Sequence, residues 1–84
     1  MNISNYNTFI EALLSLKTKK ELKGFLDGIL TPKERKEIPV RFQIVKLLKK
    51  GMPQHEIATK LGVGIATVTR GSKELSKGNF SNWR

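Results

Sequence analysis

Apolar residues fall along this chain in short stripes at helical spacing, and no stretch alternates with the two-residue period of a strand. From Asn5 to Leu16, Phe9, Leu13 and Leu16 share one side of a helix, Ile10 and Leu14 widen the stripe, and Ser4 stands at the N-cap position. Thr18 opens the next predicted helix, with Glu21 three residues on in the capping-box pattern and an apolar face of Leu22, Phe25, Leu26, Ile29 and Leu30. Thr31-Pro32-Lys33-Glu34 is a stronger start signal. The threonine caps, the proline takes the first helical position, where its missing N–H costs nothing, and Glu34 completes the box. Pro39 disfavours helical geometry at Ile38, so this helix is predicted to be short. A new one then runs from Val40 to Lys50, with Phe42, Val45 and Leu48 in register and Gly51 at its C-cap. Pro53 opens a helix ending near Leu61, Gly62 supplies a turn, and a last helix runs from Gly64 or Ile65 to about Lys77, stopped by Gly78. The predicted fold is all-α, with five to six short helices.

The segment Gln54 to Leu75 carries a second pattern within the first. Ile57, Ala58 and Leu61 offer one helix to a core, Gly62 suits the left-handed conformation of a tight turn, and Val63 plugs the corner. Ile65 and Val68, with Leu75 further along, supply the buried face of the second helix. Two short helices, a glycine turn and fixed apolar positions make a helix-turn-helix. On the outer face, Ala66 and Thr67 are short enough to let the helix N-terminus approach base edges, and their methyls suit thymine, with Gly64 and Ile65 at that N-terminus also expected at the DNA. Thr69, Arg70, Ser72 and Lys73 offer hydroxyls and cations to bases and phosphates, while Gln54 and His55 face the backbone or the groove edge. The rival reading is an ordinary helical hairpin with a polar outer face.

Charge weighs against that rival. Sixteen Lys and Arg against seven Asp and Glu give a formal net charge of +9 on 84 residues. Such an excess points to a polyanion, because neutralised phosphates release counterions. A membrane surface is the competitor, but no long apolar run and no signal-peptide pattern is present, so a cytoplasmic DNA-binding protein is expected. Lys17, Lys19, Lys20 and Lys23 are expected to line solvent. There is no cysteine and only one histidine, so disulfides and a metal site are not expected. Neither a nucleophile–base constellation nor a phosphate-cradling glycine loop is present, and an enzyme is not expected. A core of this size rarely supplies more than ~3–5 kcal/mol, so oligomerisation is the natural support.

Gly64-Ile65-Ala66-Thr67-Val68-Thr69-Arg70-Gly71-Ser72 resembles the recognition-helix signature of the tryptophan repressor family. Leu30-Thr31-Pro32 with Glu34-Arg35, then Arg41 and Ile44-Val45, is similar to the helices before it, and the likeness extends from about Phe9 to Lys77. That family reads DNA through a helix-turn-helix. The resemblance implies a transcriptional repressor that works as an intertwined homodimer on double-stranded operator DNA, with L-tryptophan as corepressor. It assigns residues 4–50 to the dimerisation core, 53–77 to the helix-turn-helix and 78–84 to a tail. By the same resemblance Arg41 and Arg70 flank the indole, one of them holding the ligand carboxylate, with Thr67 and Gly71 beside the ligand. Gly28, Leu30 and Thr31 of the partner subunit would offer backbone carbonyls to the ammonium. The alternative is a member of the same superfamily with no effector or a different one.

Taken singly, Arg41 reads equally as a solvated arginine and Arg70 as a phosphate contact. Two departures from the family pattern stand out. Glu74 takes the place of a serine near the ligand ammonium, where it can pair with that ammonium, repel the carboxylate or bridge to Arg70. After Lys77 the sequence reads GNFSNWR where the family continues into a further helix, and Phe80 and Trp83 form either a short apolar clasp or a loose tail.

Overall fold

The computed structural model describes residues 3–83. It holds five helices, α1 (Ile3–Ser15), α2 (Lys19–Ile29), α3 (Pro32–Lys49), α4 (Gln54–Leu61) and α5 (Ile65–Ser76), with no strand among those residues. Arg84, the last residue of the tail, lies outside them. The chain divides into two compact units, one running to Arg35 and the other from Lys36.

In the first unit, helix boundaries follow local hydrogen bonding. Thr18 caps α2, its hydroxyl accepting from Glu21 N at 3.1 Å, while the Glu21 carboxylate reaches back to Lys17 N at 2.8 Å. Thr31 and Glu34 exchange both bonds of a full capping box, 3.2 and 2.8 Å. These two bonds from Thr31, the backbone one first, hold the Glu34 carboxyl below its ordinary value. Arg35 Nη1 donates to the carbonyls of Asp27 (2.8 Å) and Leu30 (3.2 Å), pinning the α2–α3 corner. Ser4 does not cap α1. It lies inside the helix, where its carbonyl accepts from Thr8 Oγ1 at 2.7 Å. Apolar packing here is thin: Phe9 and Phe25 meet with centroids 6.1 Å apart, no α2 residue is buried, and Leu14 is 78% exposed. Lys17, Lys19, Lys20 and Lys23 lie on the solvent side, all four exposed.

The break predicted at Pro39 does not occur. One helix, α3, runs through it, so the described residues hold five helices rather than six. Pro39 cannot donate to Arg35 O, but both residues are exposed, so water can serve the freed carbonyl. The helix is held instead by its C-terminal half, where Ile44, Val45 and Leu47 are buried. Gly51, at φ 87°, ends it in a Schellman motif: Met52 N donates to Leu47 O and Gly51 N to Leu48 O.

In the second unit, Ile44, Leu47, Ile57 and Val68 form the core, with Val40, Leu48, Met52, Ala58, Leu61 and Val63 packed against it. Ile57 and Val68 are wholly inaccessible. Ile65, expected on the same buried face, is instead 42% exposed. Val63 and Val68 pack into that core and leave Ile65, the first residue of α5, outside it.

Candidate functional site

The α4–α5 pair is a helix-turn-helix in geometry as well as in sequence. Gly62 adopts φ 66°, and Val63 N donates to Ala58 O and Gly62 N to Thr59 O, the same Schellman closure that ends α3. The turn drops Val63 onto the core, and α5 starts from Gly64 without a side-chain cap. Across the pair, Thr69 Oγ1 lies 2.9 Å from Gln54 Oε1 and 3.0 Å from Ile65 O, so its one proton ties it to α4 or to its own helix. Gln54, Thr69 and Ser72 are half-buried, whereas His55, Gly64, Ile65, Ala66, Thr67, Arg70 and Lys73 take more exposed positions. The outer surface of the pair therefore carries small side chains and the exposed Ile65 near the start of α5, with the cations Arg70 and Lys73 further along.

On another side of α5 lies an open pocket of about 530 Å³. Its walls are Ile38, Phe42, Ile44 and Val45 from α3, Ala66 and Gly71 from α5, and Phe80 from the tail. Its polar residues are Arg41, Thr67, Arg70 and Glu74. Neither guanidinium is committed to a salt bridge among the described residues, while Glu74 is paired with Lys77 at 2.9 Å and accepts from Asn79 Nδ2 at 3.0 Å. The Lys77 hydrogen bond and charge, then Asn79 and the nearby Arg70 charge, hold the Glu74 carboxyl below its ordinary value. Such a pocket suits a mostly apolar, flat ligand carrying an anionic group: guanidinia stack on rings and make charge-assisted bonds to carboxylates.

Five residues named from the sequence for a ligand thus line one pocket, Arg41, Thr67, Arg70, Gly71 and Glu74, and Ala66, named for DNA, lines it too. Gly28, Leu30 and Thr31 belong to the first unit and are not among its lining. There the Leu30 carbonyl accepts from Arg35 Nη1, and that of Thr31 accepts from Arg35 N. Gly71 has a further role. A Cβ at this position would sit 2.9 Å from Ile44 Cγ2, so the missing side chain lets α5 lie close against α3. Ile38, Phe42 and Phe80 escaped the sequence reading as pocket residues. The signal for the first two was present, since 38, 42 and 45 share a helical face, but only if the helix is allowed to cross Pro39.

Fold and site together define a small all-α protein with a helix-turn-helix and a ligand-sized pocket behind its second helix. A family model described as Trp repressor protein matches residues 4–82. A Trp operon repressor homolog of Actinobacillus succinogenes is 44% identical over 88% of this chain and 74% of the relative. One from Haemophilus influenzae is 35% identical over 98% of the chain and 84% of the relative. A third, from Pasteurella multocida, is 39% identical over 88% and 74%. No solved structure gives a significant match. The chain belongs to the Trp repressor family of DNA-binding transcriptional repressors. No helix among the described residues is long and apolar enough to cross a membrane.

Proposed function

We propose that this protein is a cytoplasmic homodimeric repressor that binds operator DNA through α4 and α5 when L-tryptophan fills the pocket. The observation that carries this reading is the pocket itself: Arg41 and Arg70, in no salt bridge among the described residues, stand on facing elements beside an apolar wall. An indole ring fits between the guanidinium planes, and its carboxylate takes a charge-assisted bond from one of them. Gly28, Leu30 and Thr31 of the partner subunit supply carbonyls to the ammonium. Gln54, His55, Gly64, Ile65, Ala66, Thr67, Thr69, Arg70, Ser72 and Lys73 form the DNA surface, with the cations and hydroxyls serving phosphates and the start of α5 reading bases.

Dimerisation is supported by the first unit, whose α2 has no fully buried residue and which leaves Leu14, Leu22 and Ile29 exposed. Two short amphipathic helices with that much uncovered apolar surface call for a second copy. Light scattering reads the oligomeric state directly.

Calorimetric titration with L-tryptophan tests the effector. Binding in the micromolar to millimolar range is expected, and no heat at millimolar ligand would refute tryptophan as the effector. Arg41→Ala is expected to abolish the effect of tryptophan on operator binding while sequence-independent DNA affinity barely moves. Equal loss of both would make Arg41 a structural residue or a phosphate contact. Operator affinity that is the same with and without tryptophan would favour a family member with another effector or none.

A further inference from the structure

The tail after α5 is neither loose nor merely apolar. Lys49, at the last turn of α3, donates through Nζ to the carbonyl of Phe80 at 2.8 Å and also to that of Trp83. The same ammonium stands 5.1 Å from the centroid of the Trp83 ring. Trp83 meets Phe42 edge-on, with centroids 4.6 Å apart and planes at 69°. Ser81 N bonds back to Gly78 O, and Trp83 N to Phe80 O, so the segment is a compact series of turns. Gly78, at φ 86°, starts that turn from the end of α5.

Three of these contacts bear on the pocket. Phe80 is one of its walls, Phe42 is another, and Asn79 orients the Glu74 carboxylate that lines it. Lys49 and Trp83 themselves lie outside the lining and touch it through Phe80 and Phe42. We propose that residues 78–83 are the closing wall of the effector pocket, with Lys49 and Trp83 as its positioning residues, so that ligand affinity depends on the seating of this strap. The inference rests on the reading of the pocket as an effector site.

The physical case is one of cooperation between weak contacts. A lysine sharing its protons between two backbone carbonyls, with an aromatic face beside it, gives charge-assisted bonds and a cation–π contact from one side chain. The edge-on aromatic pair adds a second anchor. These two anchors tie the tail to α3, so loss of either frees Phe80 from the pocket and Asn79 from Glu74. Because the seated strap completes the pocket, a bound ligand stabilises seating, and seating raises affinity by the same factor.

The test uses the full chain, Lys49→Met and Trp83→Ala, with L-tryptophan as the calorimetric probe. Both variants are expected to bind roughly tenfold more weakly than wild type, with Lys49→Arg recovering most of the loss. Trp83 is the only tryptophan of the chain, so its emission in ligand-free protein reports seating. Lys49→Met should shift it to the red while the far-ultraviolet circular dichroism stays that of wild type. Sequence-independent DNA affinity of Trp83→Ala, measured without tryptophan, should be unchanged, which a general loss of folding would not allow. Equal ligand affinity in all the proteins would overturn the wall alone. An unshifted Trp83 emission in Lys49→Met would show that Lys49 does not hold the strap. No binding by wild type would overturn the effector reading and the strap's role with it.

Discussion

Gly71→Ala sets two effects of opposite sign against each other at one atom. In an ordinary helix interior the exchange would stabilise by about 1 kcal/mol, because alanine loses less backbone entropy on folding. Here the new Cβ would lie 2.9 Å from Ile44 Cγ2 and 3.6 Å from Leu48 Cδ1. Leu48 is in ordinary contact and can stay, but Ile44 is 1% exposed and its Cγ2 is fixed to a β-branched carbon. That methyl moves only if χ1, which has little freedom in a helix, changes or if α3 and α5 separate. Overpacking of this kind costs about 1–3 kcal/mol, so the steric term wins and a net loss of about 1 kcal/mol is expected. Urea unfolding at fixed protomer concentration should show a midpoint lower by about 1 M, since m is about 1 kcal/mol per M for a chain this short. Ile44→Leu removes the offending branch, and the double variant should lose at least about 0.5 kcal/mol less than the two single losses summed. An unchanged or higher midpoint for Gly71→Ala would refute the close approach of the two helices.

Two further outcomes follow from the helices themselves. Pro39→Ala gives α3 back its bond to Arg35 O and should raise stability by roughly 1–2 kcal/mol after the looser unfolded chain is counted, read as a higher thermal midpoint; a lower one would mean the helix needs its proline. Glu34, held below its ordinary value of 4.5 by the bonds from Thr31, stabilises the start of α3 above that value and ceases to do so as pH falls through its lowered folded value. Glu34→Gln keeps the box without the titration, so an acid titration followed by circular dichroism should lose less signal than wild type below about pH 4.5. Identical acid limbs would remove Glu34 from the acid response.

What could be read from the chain alone was mostly what neighbours in the chain decide. The two threonine caps, the glycine closures at Gly51 and Gly62 and the core positions Ile57 and Val68 depend on spacing of a few residues, and all are found where the pattern puts them. Pro39 misled because the local rule is sound and the outcome was set elsewhere, by the buried half of α3. That one error hid the α3 wall of the pocket. The strap was less legible still: Lys49 meets carbonyls 31 and 34 residues away, and no periodicity encodes such a pairing. The charge pattern marked Lys49 only as one cation among sixteen lysines and arginines. The family resemblance sets Gly71 beside a ligand, whereas contact with Ile44 is the first demand on it.

These placements resolve α5 into three sides with separate work. Val68 and Leu75 lie a helical period apart, Val68 wholly buried and Leu75 half-buried, on the side that holds the helix to the unit. Thr67, Gly71 and Glu74 follow one another at spacings of four and three along the pocket side. Ile65, Thr69 and Lys73 follow at spacings of four along the outer side, where the proposed DNA surface lies. Arg70 stands between the last two, lining the pocket yet exposed and next to the outer row. Under the proposed function, a ligand stacked on its guanidinium would fix a side chain whose other edge faces the groove, and the two binding events would bias the same rotamer. Glu74 acts on this from one turn further on, since its charge is already engaged by Lys77 and Asn79 rather than spent on Arg70. Were Lys77 and Asn79 removed, the carboxylate would turn to Arg70 and compete with both ligand and phosphate. Lys77 lies before the strap and holds Glu74 by itself at 2.9 Å, so unseating the tail removes Asn79 without freeing that carboxylate for Arg70.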